Sequence, residues 1–336
     1  MKQAVFFHKG TEDKVICELC PHQCTIGTGN RGVCGVRLNH KGQLLADSYG
    51  KITALHTDPI EKKPLYHYFP GSRILSVGSY GCNLSCSFCQ NYHISQAGFY
   101  ESLPYSVHDP EELAEIAAAD ESNVGIAYTY NEPGIWYEFV METAQLVRNK
   151  NLKNVMVSNG FINPEPLKNL LDFIDAFNID LKAFDSDFYL NIAGAALKPV
   201  LDNIKTIAGS GAHLEITHLV IPGLNDDPGR FSEMVKWIAE ETGPYTPLHI
   251  SKYFPSHKLD NDPTPVEIIF KFCEIAKEHL AFVYPGNVHV WGGVCDTICP
   301  SCHTTVMERG GYTTGLKNAS PKGKCSKCGF QICKMN

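Results

Sequence analysis

The chain has 336 residues, of which 43% are hydrophobic and 19% charged, so its composition predicts a folded core and argues against extensive disorder. A formal net charge of −7 argues against a surface that binds nucleic acid over most of its area. The charge is unevenly distributed: residues 299–336 contain six lysines and arginines and one glutamate. Their formal net charge is therefore +5, and that of the remaining residues is −12. This basic tail is interpreted as a solvated surface, and the alternative is that it docks an acidic partner or RNA.

The sequence contains no apolar run long enough to cross a bilayer and no secretory signal at its start, so we expect a cytoplasmic protein without a membrane partner. Fourteen cysteines are many for such a chain. Because a reducing compartment disfavours disulfides, clustered cysteines here predict metal sites. Three groups stand out: Cys17, Cys20, Cys24 and Cys34; Cys82, Cys86 and Cys89; and Cys299, Cys302, Cys325 and Cys328.

Residues 1–70 are expected to form a small cysteine-rich module with short strands. Its four cysteines, Cys17, Cys20, Cys24 and Cys34, follow the spacing C-x2-C-x3-C-x9-C. Four thiolates could close around zinc or hold an auxiliary iron–sulfur cluster that relays electrons, and the sequence leaves both open. His22, within "CPHQC", is a further candidate ligand, although an exposed loop histidine is commoner.

Residues 71–290 alternate strand and helix patterns, which predicts an α/β fold built as a barrel or partial barrel of parallel strands. The predicted strands are the short apolar runs "RILSVGSY", "NVGIAYTY", "NVMVSNG", "AFNIDLKA", "LEITHLVIP", "PLHISKYF" and "AFVYPGN". Helices are predicted after Asp109-Pro110, after Pro133, and after Thr264-Pro265, where Glu267 completes a capping box. In such barrels the chemistry gathers at the carboxyl ends of the strands.

Polar and glycine-rich residues follow the predicted strands at that end. The loop "GCNLSCSFCQN" with Cys82, Cys86 and Cys89 comes after the first strand, and "YNEP", "SNG" and "DLK" follow the next three. Three thiolates at C-x3-C-x2-C can hold three irons of a [4Fe-4S] cluster and leave the fourth iron open. The alternative is that a distant cysteine completes an ordinary four-thiolate site.

Residues 291–336 form the C-terminal segment, where "CPSC" and "CSKCG" place Cys299, Cys302, Cys325 and Cys328 in two C-x2-C pairs. Paired C-x2-C motifs are typical of a zinc ribbon, in which the metal holds a short segment folded. An auxiliary iron–sulfur cluster is the alternative. Cys333 is a spare ligand, and His303 is a weaker candidate.

The three-cysteine loop resembles the cluster-binding loop of radical S-adenosylmethionine (radical SAM) enzymes, and the strand–helix pattern resembles their partial (β/α)6 TIM-like barrel. The resemblance implies an oxidoreductase in which SAM occupies the open iron of a [4Fe-4S] cluster held by Cys82, Cys86 and Cys89. One electron from the reduced cluster then cleaves SAM to methionine and a 5′-deoxyadenosyl radical, which abstracts hydrogen from a substrate.

Within that superfamily the barrel resembles pyruvate formate-lyase-activating enzyme. Its Gly-Gly-Glu motif is replaced here by Tyr130-Asn131-Glu132, so contact with the SAM amino group would come from backbone carbonyls or from Asn131. The expected cofactor-binding residues are Phe88, Tyr130, Asn131, Glu132, Ser158, Asn159, Asp180, Lys182 and His257. A plain salt bridge is the alternative for the Asp180–Lys182 pair, and a surface or packing histidine is the alternative for His257.

A closer resemblance extends over nearly the whole chain. "DPIEKKPLYHYFPG", "YTYNEP", "NIDLKAF", "VIPGLNDD" and the N-terminal cysteine segment are together similar to the radical SAM member of the AmmeMemoRadiSam system. This resemblance suggests a Memo-family partner. An electron donor of flavodoxin or ferredoxin type is expected, and the first hypothesis for the substrate is a protein, as for glycyl-radical activating enzymes. A small molecule or RNA is the alternative substrate. A non-catalytic zinc-ribbon protein and a simple electron carrier are the rival functions.

Overall fold

The computed structural model of the chain describes residues 1–96, 103–288 and 292–335. Within these ranges the strands are β1 (Lys2–Gln3), β2 (Phe7–Lys9), β3 (Val15–Cys17), β4 (Thr25–Ile26), β5 (Arg37–His40), β6 (Gln43–Ala46), β7 (Lys51–Ile52), β8 (Ala54–Pro59), β9 (Arg73–Gly78), β10 (Ser106–Val107), β11 (Asn123–Tyr128), β12 (Lys153–Ser158), β13 (Ala176–Asp180), β14 (His213–Val220), β15 (Leu248–Lys252), β16 (Val283–Gly286), β17 (Thr297–Ile298), β18 (Thr305–Gly310) and β19 (Thr313–Leu316). The helices are α1 (Tyr92–Ser95), α2 (Pro110–Ala118), α3 (Tyr137–Asn149), α4 (Pro164–Leu171), α5 (Ser186–Phe188), α6 (Leu197–Ser210), α7 (Pro228–Thr242) and α8 (Val266–Lys277). Across the described ranges, no helix has the length and apolar character needed to span a membrane.

The main sheet has eight strands in the order β16-β15-β14-β13-β12-β11-β9-β8. From β9 to β16 every neighbouring pair is parallel, and β8 joins antiparallel to β9. Each of the seven predicted strands is present. In the described part of the chain β8 and β16 do not pair with each other, so the sheet is open and the predicted partial barrel is confirmed.

Three helix starts show how the sequence directs the fold. The Asp109 side chain accepts a hydrogen bond of 2.8 Å from the Glu112 N–H and so caps α2, as predicted. Pro133 begins a short 3₁₀ turn ahead of α3. The predicted capping box before α8 is wrong, because the Thr264 hydroxyl bonds to the Val220 carbonyl and does not cap the helix.

The N-terminal strands form two small antiparallel sheets, β1-β6-β5 and β2-β3-β4, which pack against the barrel. A buried ion pair fixes their position, since Arg37 on β5 donates to both carboxylate oxygens of Glu138 on α3 at 2.9 and 3.0 Å. Both bonds come from the Nη2 nitrogen of Arg37, while its Nη1 nitrogen donates to the Val5 carbonyl at 3.0 Å. The N-terminal segment is therefore held against the first helices of the barrel.

The C-terminal ribbon, β17-β18-β19, packs across the gap between the two edges of the main sheet. Its Arg309 donates to the Tyr66 carbonyl at 2.7 Å, and its Thr314 hydroxyl donates to Glu61 at 2.6 Å. Apolar ribbon residues bury against Tyr66 and against Tyr284 on β16. The expected boundary between the barrel and this segment, near residue 290, lies outside the described residues.

A buried carboxylate organises the interior of the sheet below the site. Glu215 on β14 accepts hydrogen bonds from the backbone N–H groups of Tyr66 and His67 at 3.0 and 2.7 Å. It also contacts the Nε2 atoms of His213 and His249 at 2.9 and 2.6 Å. Burial raises the pKa of Glu215, but the two histidines lower it more, so its net shift is well downward. This network ties the segment after β8 to the middle of the sheet.

Candidate radical SAM active site

The three-cysteine loop leaves the carboxyl end of β9 and lines a cavity of about 430 Å³. Backbone hydrogen bonds fix the loop from two sides, since Ser85 N–H donates to the Ala193 carbonyl and Lys258 N–H donates to the Ser87 carbonyl, each at 2.9 Å. The Ser256 hydroxyl also donates to the Cys89 carbonyl at 3.0 Å. The loop is thus held by residues that follow β13 and β15, and its cysteines are fixed at the shared end of the strands.

The cysteine sulfurs lie among hydrogen-bond donors. The Leu84 N–H lies 3.4 Å and the Asn159 amide 3.7 Å from the Cys82 Sγ, and the Ser95 hydroxyl lies 3.0 Å from the Cys89 Sγ. Burial raises the pKa of Cys86 to about 11, opposed by the Lys182 ammonium. A free thiol of that pKa stays protonated at neutral pH, whereas a bound metal would hold it as thiolate. The donor set and the burial therefore fit an iron–sulfur cluster at Cys82, Cys86 and Cys89.

Glu132, at the end of the loop that follows β11, is buried and fully hydrogen-bonded. It accepts from the Ser158 hydroxyl at 2.8 Å, from the Asn159 N–H at 2.8 Å and from the Gly134 N–H at 2.7 Å. Burial raises the pKa of Glu132 to about 7, although these donors oppose the shift. Three expected cofactor-binding residues, Glu132, Ser158 and Asn159, thus lie together and are hydrogen-bonded to one another.

Tyr130 and Asn131 show how the chain manages without the two glycines. Tyr130 has a φ of 75°, in the left-handed region that glycine normally occupies. The Asn131 amide bonds to backbone on both sides of the turn, accepting from the Ser79 N–H and donating to the Gly81 carbonyl, each at 3.0 Å. Its side chain therefore anchors the start of the cysteine loop.

Asp180 and Lys182 form an ion pair at the end of β13, with 2.9 Å between Oδ2 and Nζ. The Lys182 ammonium also lies 5.8 Å from the centre of the Phe88 ring, which is buried at the cavity wall. Burial lowers the pKa of Lys182, but Asp180 and the Cys86 sulfur raise it more, so its net shift is upward. A carboxylate and a permanent cation thus stand side by side next to the cysteine loop.

His257 is the expected contact that the structure places apart from the others. Its half-buried ring stacks on Tyr92 with 4.7 Å between ring centroids, and it is not among the residues that line the cavity in the described chain. The remaining expected contacts all line the cavity, together with the three cysteines: Phe88, Tyr130, Asn131, Glu132, Ser158, Asn159, Asp180 and Lys182.

The cavity also has lining residues that the sequence did not identify: Lys62, Lys63, Thr217, Ser251, Asn287 and Tyr312. Thr217 and Ser251 lie on β14 and β15, so inspection of strand ends could have found them. Tyr312 could not have been found in this way, because it lies at the turn between β18 and β19 in the C-terminal ribbon. A larger cavity of about 570 Å³ lies at the opposite ends of the strands, beside Lys153 and Asp175, remote from the cysteine loop.

The C-terminal cysteines form a compact four-sulfur site. Cys299 Sγ lies 3.5 Å from Cys328 Sγ, and Cys302 Sγ lies 3.6 Å from Cys325 Sγ. Tetrahedral bonding to zinc at about 2.3 Å places sulfurs roughly 3.8 Å apart, so the spacing fits one metal ion. Cys333 is buried nearby but does not belong to the four-sulfur group.

The N-terminal cysteines line a small cavity of their own. Cys17, Cys20, Cys24 and Cys34 surround it, together with His22 and Arg37. The His22 Nε2 atom is engaged, lying 2.7 Å from the Asn83 carbonyl oxygen in the three-cysteine loop.

Comparison with known proteins agrees with this site. Residues 76–235 match the Radical SAM superfamily. The chain is 40% identical over 335 residues to an uncharacterized protein of Methanocaldococcus jannaschii, covering 99% of each. It is 24% identical over 191 residues to the pyruvate formate-lyase-activating enzyme of Clostridium pasteurianum, covering 55% of this chain and 79% of that one.

The fold is also found among solved structures. Streptococcus suis SuiB bound to S-adenosylmethionine is similar with a TM-score of 0.51 at 13% identity, over 68% of this chain and 53% of that one. At this identity the likeness concerns the fold alone. The match over residues 76–235, which include the cysteine loop at the strand ends, shows that the chain contains a Radical SAM domain.

Proposed function

We propose that this protein is a radical SAM enzyme of the activating-enzyme type, which removes a hydrogen atom from a protein substrate. The observation that carries the proposal is the position of Cys82, Cys86 and Cys89 beside the Asp180–Lys182 pair in one cavity. When bound, a reduced [4Fe-4S] cluster and SAM supply one-electron cleavage of SAM and a radical that abstracts hydrogen.

The residues around the cavity have separate tasks in this proposal. Asp180 and Lys182 carry the charges that complement the ammonium and carboxylate groups of the SAM methionine. Asn131, whose amide is bonded to backbone, positions the cysteine loop and leaves direct contact to backbone carbonyls. Phe88, buried at the wall, excludes water from the cluster side of the cavity.

The choice of a protein substrate rests on two observations. The similar pyruvate formate-lyase-activating enzyme is by name an enzyme that acts on another protein. The mouth of the cavity is also bordered by the half-exposed side chains of Lys62 and Tyr312, which a peptide segment could contact. These favour a protein substrate over a small molecule enclosed in a sealed pocket.

Further parts of the proposal concern partners and metals. The sequence resemblance favours membership of the AmmeMemoRadiSam system, with a Memo-family protein as partner or substrate. A flavodoxin- or ferredoxin-type protein is the proposed electron donor, in a cytoplasmic compartment that keeps the thiols reduced. Zinc is the proposed metal at Cys299, Cys302, Cys325 and Cys328, because their spacing suits a single tetrahedral ion.

The test is anaerobic purification and reconstitution with iron and sulfide, then reduction by dithionite in the presence of SAM. We expect 5′-deoxyadenosine, detected by mass spectrometry, from the wild type. The Cys86→Ala variant should produce none, whereas the control Cys273→Ala should match the wild type, because Cys273 is buried on α8 outside the three groups. Iron-loaded wild type that never cleaves SAM would disprove the proposal.

A further inference from the structure

The sulfurs of the N-terminal cysteines are arranged differently from those of the C-terminal ribbon. Throughout the described ranges, the one set of three or more metal-ligating groups whose atoms all lie within 4.8 Å is Cys299, Cys302, Cys325 and Cys328. The four N-terminal sulfurs share a cavity but are not gathered this tightly. Neither are Cys82, Cys86 and Cys89. A single zinc ion draws its sulfurs close together, whereas a cubane cluster binds each thiolate through a separate iron and holds them further apart.

Backbone donors surround the N-terminal sulfurs in the same way as in the radical SAM loop. The Val33 N–H donates to the Cys24 Sγ at 3.5 Å. The backbone N–H of His22 likewise bonds to the Cys20 sulfur, two residues earlier in the chain. The Leu84 N–H stands in the same relation, two residues later, to Cys82. Such N–H groups stabilise the negative charge of sulfurs bound to a cluster.

Arg37 gives an independent indication that an anionic group belongs in this cavity. Its side chain is 1% exposed and lines the cavity, and its terminal nitrogens are bonded to the Val5 carbonyl and to Glu138. Its Nε–H is buried and has no partner among the described residues. Because a buried donor without a partner is unfavourable, a partner is expected there. A sulfur-rich anionic centre supplies one.

The N-terminal cavity touches the radical SAM loop directly. The His22 ring lies 2.7 Å from the carbonyl oxygen of Asn83, which stands between Cys82 and Cys86. On the other side of Cys82, the Cys34 carbonyl packs so closely on Gly81 that a Cβ atom there would lie 2.5 Å from it. At these contacts the two loops touch each other directly. A redox centre in the first would be adjacent to the second.

We propose that Cys17, Cys20, Cys24 and Cys34 hold a second [4Fe-4S] cluster, which passes single electrons to the cluster at Cys82, Cys86 and Cys89. In each transfer the second cluster is oxidised by one electron and the first is reduced by one. A low-potential ferredoxin-type protein then returns the second cluster to its reduced state. The metal assignment is independent of the substrate, while the relay role rests on the proposed function.

Metal analysis of the anaerobically reconstituted full-length protein tests the assignment. We expect about eight iron and eight sulfide per chain, falling to about four of each in the Cys20→Ala variant and unchanged in Cys273→Ala. Electron paramagnetic resonance of the reduced wild type should show one signal that changes on adding SAM and one that does not. About four iron with zinc in the N-terminal site would overturn the assignment. If Cys20→Ala fails to fold, eight iron that persist in Cys325→Ala would place the second cluster at the N-terminal site, and a fall to four iron there would overturn the assignment.

The relay is tested by changing the electron source. For each protein, the rate of 5′-deoxyadenosine formation with a reduced two-cluster ferredoxin is divided by its rate with dithionite. We expect this ratio to fall at least about tenfold in Cys20→Ala relative to Cys273→Ala. An equal ratio would overturn the relay and leave the metal assignment intact. Absence of SAM cleavage with either donor would instead contradict the proposed function, while the iron counts would still report on the second site.

Discussion

Replacing Gly81 with alanine tests whether the segment between β4 and β5 packs directly on the loop that carries Cys82. Gly81 has a φ of +85°, and a Cβ there would lie 2.5 Å from the Cys34 carbonyl oxygen and 2.7 Å from Val36 Cγ1. The left-handed backbone costs an alanine about 1–2 kcal/mol. The overlap adds about 1–3 kcal/mol, because one neighbour is backbone and cannot rotate away. We therefore expect Gly81→Ala to lose about 2–5 kcal/mol of unfolding free energy.

The assay is urea unfolding of anaerobically reconstituted protein, followed by circular dichroism. Gly209→Ala is the matched control, since Gly209 lies in α6 and a Cβ there would have no atom within 4 Å. That change should be neutral or stabilising by up to about 1 kcal/mol, because alanine favours the helix. A loss of no more than about 1 kcal/mol, which the left-handed backbone alone accounts for, would refute the close contact between the two loops.

Three further predictions concern buried groups. Burial raises the pKa of Glu132 from 4.5 to about 7, so the folded protein binds this proton more tightly than the unfolded chain does. The free energy of unfolding of the wild type therefore falls as the pH rises between these values. In urea unfolding, the stability of Glu132→Gln relative to wild type should rise by roughly 2–3 kcal/mol from about pH 5 to pH 8. Glu215→Gln should lose about 3–5 kcal/mol at neutral pH, because two histidines and two backbone donors lose a buried carboxylate. Cys325→Ala should lose about one metal ion per chain by elemental analysis and keep the iron of the three-cysteine loop.

Each of these has an outcome that contradicts it. A pH-independent difference between Glu132→Gln and wild type would mean that the carboxyl group titrates normally in the folded protein. Glu215→Gln is compared with Glu240→Gln on α7, whose exposed carboxylate makes only a long ion pair of 3.9 Å and should be nearly neutral. An unchanged metal content in Cys325→Ala would show that the compact sulfur group does not bind an ion.

Much of the fold could be predicted because its pattern is local. Seven short apolar runs give seven parallel strands, and the polar residues after them converge because the carboxyl ends of parallel strands share one edge. The eighth strand, β8, was not predicted as part of this sheet, since only its antiparallel pairing with β9 places it there. Thr264 was misassigned because a hydroxyl before a helix can cap it or bond to a neighbouring strand with equal local sequence.

The candidate site was predictable to the same degree. Residues at strand ends, such as Asp180 and Lys182, follow from position and chemistry, whereas Tyr312 reaches the cavity only through packing of a distant hairpin. His257 was expected at the cavity from its sequence position after β15, but its ring stacks on Tyr92 and does not line the cavity. The sulfur–sulfur distances within each cysteine group distinguish the groups from one another. These distances depend on the three-dimensional course of the backbone, which the C-x2-C motif does not specify.

The hairpin of the C-terminal ribbon borders the mouth of the cavity, while every cysteine of the radical SAM loop lies in the first barrel crossover. Tyr312, which borders the site, thus comes from a part of the chain separate from the part that holds the three cysteines. Recombination that exchanged the last segment could redirect such an enzyme to a new target and leave its chemistry untouched. We expect related chains to vary more at the turn around Tyr312 than in the three-cysteine loop.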